Sequence, residues 1–271
     1  MIGLLKSGDG AAWLLFGGFW LLLLALAAAE TLRPLHAEPV EARGRLVTNF
    51  GMGLIAAALY TLLPLTSVAA AQWADVEDFG LLNVAPVAAA VAAGATLLAW
   101  SLANYWLHRA FHHGPWLWRL HRIHHVDTAV DLSTGFRNHP GEVLATAVAR
   151  AGLAAALGLS VPALIAYEAA AFVASMWSHA NLRLPARADR ILRWLLVTPA
   201  MHHVHHSSTR CETDSNYGEL LSVWDRLFGT YRPSDADSLA TLRFGLGASD
   251  DEGAASLHRQ LLSPLARAER R

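Results

Sequence analysis

The 271 residues are 54% hydrophobic and only 16% charged, against roughly 25% charge in an ordinary soluble domain, which excludes a chain whose whole surface faces water. A net charge of −1 leaves no electrostatic footprint for nucleic acid. The single cysteine, Cys211, excludes an internal disulfide framework and a cysteine-based zinc site.

The first uncharged run is Ala11 to Ala29, long enough to cross a hydrocarbon core of roughly 30 Å as a helix. A signal peptide is the rival reading, but Lys6 is offset by Asp9 and the small-residue cleavage pattern is loose. Leu46 to Ala74 is a second apolar run, with Pro64 expected to kink or end it. Phe79 to Leu107 is a third, closing in Trp100, Tyr105 and Trp106 as an interfacial belt. Glu142 to Ser178 is broken by Gly158, Ser160 and Pro162 and reads as a helical hairpin that dips across the bilayer and returns. One long span with an amphipathic neighbour is the alternative. Arg150 and Glu168 are then expected to face protein or the interface rather than lipid.

Arginine placement orients these runs. Arg33, Arg43 and Arg45 precede the second run, and Asp75, Glu77 and Asp78 follow it. Arg109, Arg119, Arg122 and Arg137 follow the third, and Arg183, Arg187, Arg190 and Arg193 follow the hairpin. One topology satisfies all of these: an outer amino terminus, four crossings and a cytoplasmic face for residues 108–137 and 179–206. The expected fold is an all-α integral membrane protein with about four transmembrane helices and a cytoplasmic helical cap. Residues 1–94 would be anchor helices, 95–231 a functional domain and 232–271 a polar, loosely held cytoplasmic tail. A composition rich in alanine, leucine and arginine and poor in lysine points to a high-GC bacterium, hence an inner membrane.

The chain has 14 histidines, and 12 of them fall between His108 and His206. His108 and His112 are four apart, on one helical face. His121, His124 and His125 repeat in His202, His205 and His206 with the spacing i, i+3, i+4, so i with i+3 or i+4 makes one metal-binding face while the adjacent histidine can reach a neighbouring ion or the opposite side of a shared site. Eight imidazoles exceed what one tetrahedral zinc uses and suit two ions. His179, after the hairpin, and His139, before Pro140, are further candidates, and His113 points away from the His108 face. Asp127, Asp131 and Asp214 are candidates to orient outer imidazole N–H groups, though each also suits a cap or a solvated loop.

Imidazole alone does not choose among zinc, copper, iron and nickel. A site beside lipid argues for two iron ions that use O2 to break an unactivated C–H bond, with zinc able to take the sites in a purified form. A metal transporter or metal-binding protein without redox catalysis is the alternative. It would place ligands at mid-bilayer depth rather than just beyond the spans.

The runs Asn104-Tyr-Trp-Leu-His108-Arg-Ala-Phe-His112, Leu117-Trp-Arg-Leu-His121-Arg-Ile-His124-His125 and Arg137-Asn-His139-Pro-Gly-Glu142 resemble the fatty acid hydroxylase and sterol desaturase superfamily. So do Thr198-Pro-Ala-Met-His202-His-Val-His205-His206-Ser, Asn216-Tyr-Gly and Trp224-Asp-Arg-Leu-Phe-Gly-Thr-Tyr231. The resemblance covers residues 95–231. It implies a membrane helix domain with a capped di-iron centre and O2-dependent hydroxylation or desaturation of a fatty acyl, sterol or related lipid. The implied ligands are His108, His112, His121, His124, His125, His179, His202, His205 and His206, with His139 added. His203 stands where the family commonly has arginine and is not counted. Asn216 and Tyr217 are implied in the outer shell, and the Trp224–Tyr231 segment is expected to pack against the cap. The sequence reads as lacking a fused haem-carrying domain, so electrons are expected from a separate reductase or ferredoxin-like protein. Neither the particular lipid nor the oligomeric state is legible.

Overall fold

The computed structural model describes residues 10–36, 42–63, 66–84, 87–247 and 253–265. Regular structure among the described residues is helical, and the extended pairings are two isolated bridges, Pro34 with Leu182 and Leu196 with Leu221. Helices α1 (Gly10–Leu32), α2 (Ala42–Leu62) and α3 (Ser67–Val76) come first. Next are α4 (Ala89–His113), α5 (Pro115–His125), α6 (Pro140–Leu157) and α7 (Val161–His179). The short helices α8 (Ala186–Leu192), α9 (Pro199–His205), α10 (Val223–Leu227), α11 (Ala236–Thr241) and α12 (Leu257–Leu262) follow, with a single helical turn at Arg210–Thr213 between α9 and α10. Proline opens α5, α6, α7 and α9, where its missing N–H costs nothing.

Three stretches are long and apolar enough to cross a bilayer: Arg43–Val76, Ala89–His113 and Val161–His179. Gly17–Leu32 is apolar but shorter. Leu21, Leu24, Leu54, Val91 and Leu98 point outward from these segments, which suits lipid rather than water.

Two expected spans change shape. The run from Leu46 to Ala74 divides into α2 and α3, and Thr66 Oγ1 starts the second by accepting from Ala69 N–H at 3.0 Å. The break expected at Pro64 lies outside the described residues, as do Lys6 and Asp9. The run expected to begin at Phe79 becomes helical only at Ala89. Asp78 (φ 49°) and Gly80 (φ 97°) turn the chain, and Leu81 and Leu82 donate their N–H groups to Ala156 and Leu157 at 3.1 and 2.9 Å. The segment therefore satisfies the carbonyl end of α6 instead of extending α4. A side chain on Gly80 would put Cβ 2.4 Å from Gly158 N, so this crossing requires glycine.

The hairpin is present as α6 and α7, and Gly158 (φ 60°) is the left-handed cap between them. Its core joins Trp100, Ala154, Leu159 and Leu164, with α3 packed along α6. Arg150 and Glu168 pair with each other at 3.4 Å rather than facing lipid.

Residues 253–265 are not the loosely held extension expected of the tail. Arg137 donates to Ala254 O at 2.7 Å, Gln260 is buried, and Leu257 lies over Gly51. Arg137 is fully buried and also donates to Ile123 O and Asn49, so its guanidinium ties the tail to α2 and α5.

Candidate metal centre

Four pieces of chain deliver imidazoles to one place. The carboxyl end of α4 carries His108 and His112, α5 carries His121, His124 and His125, α7 ends at His179, and α9 with its cap carries His202, His205 and His206. They sort into two groups. His108, His112, His121, His125 and His205 form the first, and His124, His179, His202 and His206 the second. Within each group the ligating atoms lie within 4.8 Å of one another. In each triplet the i, i+4 pair, His121 with His125 and His202 with His206, stays in one group while the histidine between them joins the other, and His108 with His112 stay together in the first.

Outer hydrogen bonds decide which ring nitrogen faces inward. His108 Nδ1 donates to Tyr217 O at 2.8 Å, His205 Nδ1 to Ser215 O at 2.7 Å, and His179 Nδ1 to Ser175 O at 2.7 Å. His124 Nδ1 donates to Arg137 O at 3.3 Å. A carbonyl accepts only, so each of these Nδ1 atoms carries the proton and each Nε2 presents a lone pair. His124 Nε2 and His179 Nε2 then stand 3.0 Å apart, lone pair to lone pair. His202 Nε2 and His206 Nε2 approach the same His179 nitrogen at 3.0 and 3.2 Å. In the first group His108 Nε2 and His205 Nε2 are buried without a hydrogen-bond partner. Burial, followed by the neighbouring rings, holds His124, His125, His202 and His206 well below the usual histidine range. Burial pushes His205 down to about 3. Neutral imidazoles whose lone pairs converge repel one another unless a cation lies between them, so the donor set fits metal ions.

Carboxylates brace the first group. His121 Nδ1 donates to Glu142 Oε1 at 2.7 Å, and His112 Nδ1 bonds Asp214 Oδ1 at 3.3 Å. Asp214 thus takes the expected orienting position, but Asp127 and Asp131 do not. Both pair with Arg45, and Asp127 also accepts from Asn49 and Thr134. Asp131 caps the 3-10 turn Leu132–Phe136. Arg45 on α2 outcompetes imidazole for these acids, which lock the α5–α6 connection.

His139 lies apart from both groups. Its Nδ1 caps α6 by accepting from Gly141 N–H at 3.0 Å, and its Nε2 bonds Leu261 O at 3.2 Å. His113 lies outside as well, with Nε2 3.1 Å from Tyr217 Oη. His203 approaches His179 O at 3.2 Å and stacks on His36 at 5.1 Å.

Residues that sequence reasoning left out complete the support. Glu142 had a signal, since an acid in the first turn after His-Pro-Gly faces back toward whatever precedes that turn. Buried Asp225 accepts from Tyr217 N–H, Gly218 N–H and Thr230 Oγ1 at 2.7, 2.8 and 2.7 Å, which fixes the carbonyl that holds His108. Asn216 (φ 51°), which the resemblance had implied in the outer shell, braces the same loop by donating to Met201 O and Arg232 O. A cavity of about 250 Å³ opens against His108, His121, His124, His179 and His202.

Apolar helices of bilayer length that carry a paired imidazole centre at their ends define a membrane-type histidine-cluster protein. Residues 93–230, just over half of the 271, match the fatty acid hydroxylase family model, and the chain belongs to the fatty acid hydroxylase family. It is 30% identical over 147 residues to the alkylglycerol monooxygenase of Danio rerio, covering 54% of this chain and 32% of that protein. It is 30% identical over 189 residues to the ornithine lipid hydroxylase of Rhizobium tropici, covering 68% and 55%. A fatty acid hydroxylase of a Lecanicillium species is 29% identical over 138 residues, covering 46% and 38%. The chain spans between about a third and just over half of the length of these curated relatives. No solved structure matches it.

Proposed function

We propose that this chain is a membrane-bound di-iron oxygenase that hydroxylates a lipid. The observation that carries the reading is the lone-pair convergence, above all the 3.0 Å approach of His124 Nε2 and His179 Nε2 with both outer protons committed to carbonyls. The relatives' names, two hydroxylases and a monooxygenase, favour hydroxylation over desaturation. The overall reaction is R–H + O2 + 2 electrons + 2 protons → R–OH + H2O, with the electrons from a separate donor protein.

The nine clustered histidines are the proposed ligands, and His139 is a helix cap instead. Two iron ions held there supply the oxidising power that attack on an unactivated C–H bond requires. The chain's own contribution is placement. Carbonyls of Arg137, Ser175, Ser215 and Tyr217 fix four rings in the tautomer that aims Nε2 inward. Glu142 and Asp214 do the same for His121 and His112 and strengthen those rings as donors. Burial of eight of the nine rings keeps bulk water from the ligand nitrogens. The cavity beside them is the place for substrate. In this reading residues 1–94 anchor the domain of residues 95–231, the amino terminus is outside, and the centre faces the cytoplasm of a bacterial inner membrane.

The test is lipid profiling by mass spectrometry in a host expressing the wild-type chain or His124→Ala. A lipid heavier by one oxygen in the first and missing in the second supports the reading. Identical lipid profiles in both refute it.

A further inference from the structure

The cavity against the histidines measures about 250 Å³, below the roughly 300–1,000 Å³ of sites that enclose a small-molecule ligand. A membrane lipid is larger than such a ligand, so only part of one fits, and the rest has to cross the cavity's mouth. The exposure of the lining residues locates that mouth. Among them Tyr60 alone, at 46%, is exposed, and the others are buried or half-buried. Ala56, one turn earlier on the same face of α2, also lines the cavity. These two are the lining residues that fall outside the family-matched residues 93–230.

Helix α2 is held at one end and open at the other. Its first half buries Arg45, Thr48, Asn49 and Met52. Arg45 pairs there with Asp127, and Asn49 bonds Ser133 and Arg137. In its last turns Ala57, Ala58, Tyr60, Thr61 and Leu62 are all exposed. Successive helical residues point about 100° apart, so exposure at nearly every position leaves these turns uncovered on most sides. They stand away from their neighbours, with the cavity behind them. They also belong to the membrane-length apolar stretch Arg43–Val76. At 1.5 Å per residue Tyr60 lies roughly 25 Å along the axis from exposed Arg43, within a hydrocarbon core of about 30 Å. What meets the outer face of Tyr60 at that depth is lipid chain, not head group.

We propose that the end of α2 is a lateral gate for hydrocarbon: a lipid's acyl or alkyl chain passes between bilayer and cavity beside Tyr60 and Ala56, and the bulk of these two side chains sets the width of chain admitted. The chain's fate inside the cavity rests on the oxygenase reading above, whereas its passage does not. Ala56 leaves the opening clear on one turn, and the Tyr60 ring narrows it on the next. An unbranched chain has the smallest cross-section and passes. A methyl-branched chain is held back until the ring is removed.

The test feeds a straight-chain fatty acid with a mid-chain diazirine to a host expressing the full-length protein, so that its membrane lipids carry the probe. The membranes are irradiated and the labelled residues mapped by peptide mass spectrometry. Label is expected inside the cavity, at buried Val143, Ser178 or Gly218, as well as on outward-facing Leu54 and Leu62. Ala56→Phe should cut the interior label roughly tenfold, the scale on which an apolar pocket discriminates small changes in bulk, and leave Leu54 and Leu62 labelled as before. Tyr60→Ala should let a methyl-branched diazirine acid label the interior, which the wild type excludes, and Tyr60→Phe, which keeps the ring, should behave as the wild type. Should Ala56→Phe lose its fold, Ala56→Leu and Tyr60→Trp narrow the same opening. Label confined to outward residues overturns the gate. So does interior label that no narrowing substitution reduces, or a branched acid that labels the wild-type interior as strongly as the straight one. Gated interior label with no oxygenated lipid in the same host supports the gate and refutes the oxygenase reading, and oxygenated lipid with ungated label does the reverse.

Discussion

The two imidazole groups differ in what stands behind them. In the first, Glu142 backs His121 at 2.7 Å and Asp214 backs His112. In the second, the outer acceptors are backbone carbonyls, those of Arg137 and Ser175, and His202 Nδ1 and His206 Nδ1 have no hydrogen-bond partner. A carboxylate behind an imidazole raises its basicity and fixes its orientation, whereas a carbonyl chiefly orients. The first group also offers five rings against four. The difference teaches that one protein builds two unequal imidazole groups from one repeated spacing; on the proposed di-iron reading, the second position is expected to release its ion first.

The sharpest way to break this comparison is His124→Ala, which removes a quarter of the second group. It should abolish turnover and leave about one iron per chain, counted by plasma mass spectrometry after anaerobic loading. Retention of two irons would show that the groups are not separate sites. Glu142→Gln comes next. Losing the carboxylate behind His121 should weaken the first position about 10- to 100-fold in a competition titration and leave the second unchanged. Asp214→Asn should fall below that, because its bond to His112 is longer, at 3.3 Å.

Acid acts on both groups in the metal-free protein. His205 titrates near 3 when folded, and His124, His125, His202 and His206 are also depressed by burial. The unfolded chain binds these protons near pH 6.5, so below that pH it holds more protons than the folded form. Stability is then fully present above about 6.5 and falls as pH drops toward 3, by at most about 1.4 kcal/mol per pH unit and histidine. Thermal melts of the apo protein between pH 8 and 4 check the direction. A flat profile would mean that the rings are already protonated or exposed. The smallest effect is expected outside the comparison. His139→Ala should cost about 0.5–2 kcal/mol as a lost helix cap and leave iron content unchanged, while loss of one iron would make His139 a ligand.

Much of the centre was legible because helical spacing is a strong geometric constraint. Histidines three or four apart share a helical face, so each triplet was readable as a ligand set, but that His124 and His205 are the ones that cross to the other group is set by tertiary packing and not by spacing. His179 was readable from its place at the end of the hairpin. His139 resembled a ligand because Asn-His-Pro carries no mark that separates a cap from a donor. Asp127 and Asp131 were miscast because the competing cation, Arg45, lies more than 80 residues away in sequence. Glu142 carried only the weak signal of its place in the first turn after His-Pro-Gly, and Asp225 acts through the backbone amides of Tyr217 and Gly218, which no local pattern reports. The division of α2 from α3 on either side of position 64 agrees with the break expected there, whereas the late start of α4 was hidden for a related reason. Apolar composition marks a membrane-length run, whereas the left-handed turns at Asp78 and Gly80 answer to the carbonyl end of α6.

The central claim is that two ions sit in two histidine groups. An anomalous-difference map collected at the iron edge on crystals of iron-loaded protein tests it most directly. The account expects two peaks, one among His108, His112, His121, His125 and His205 and one among His124, His179, His202 and His206. A single peak, or iron bound away from these rings, would contradict it.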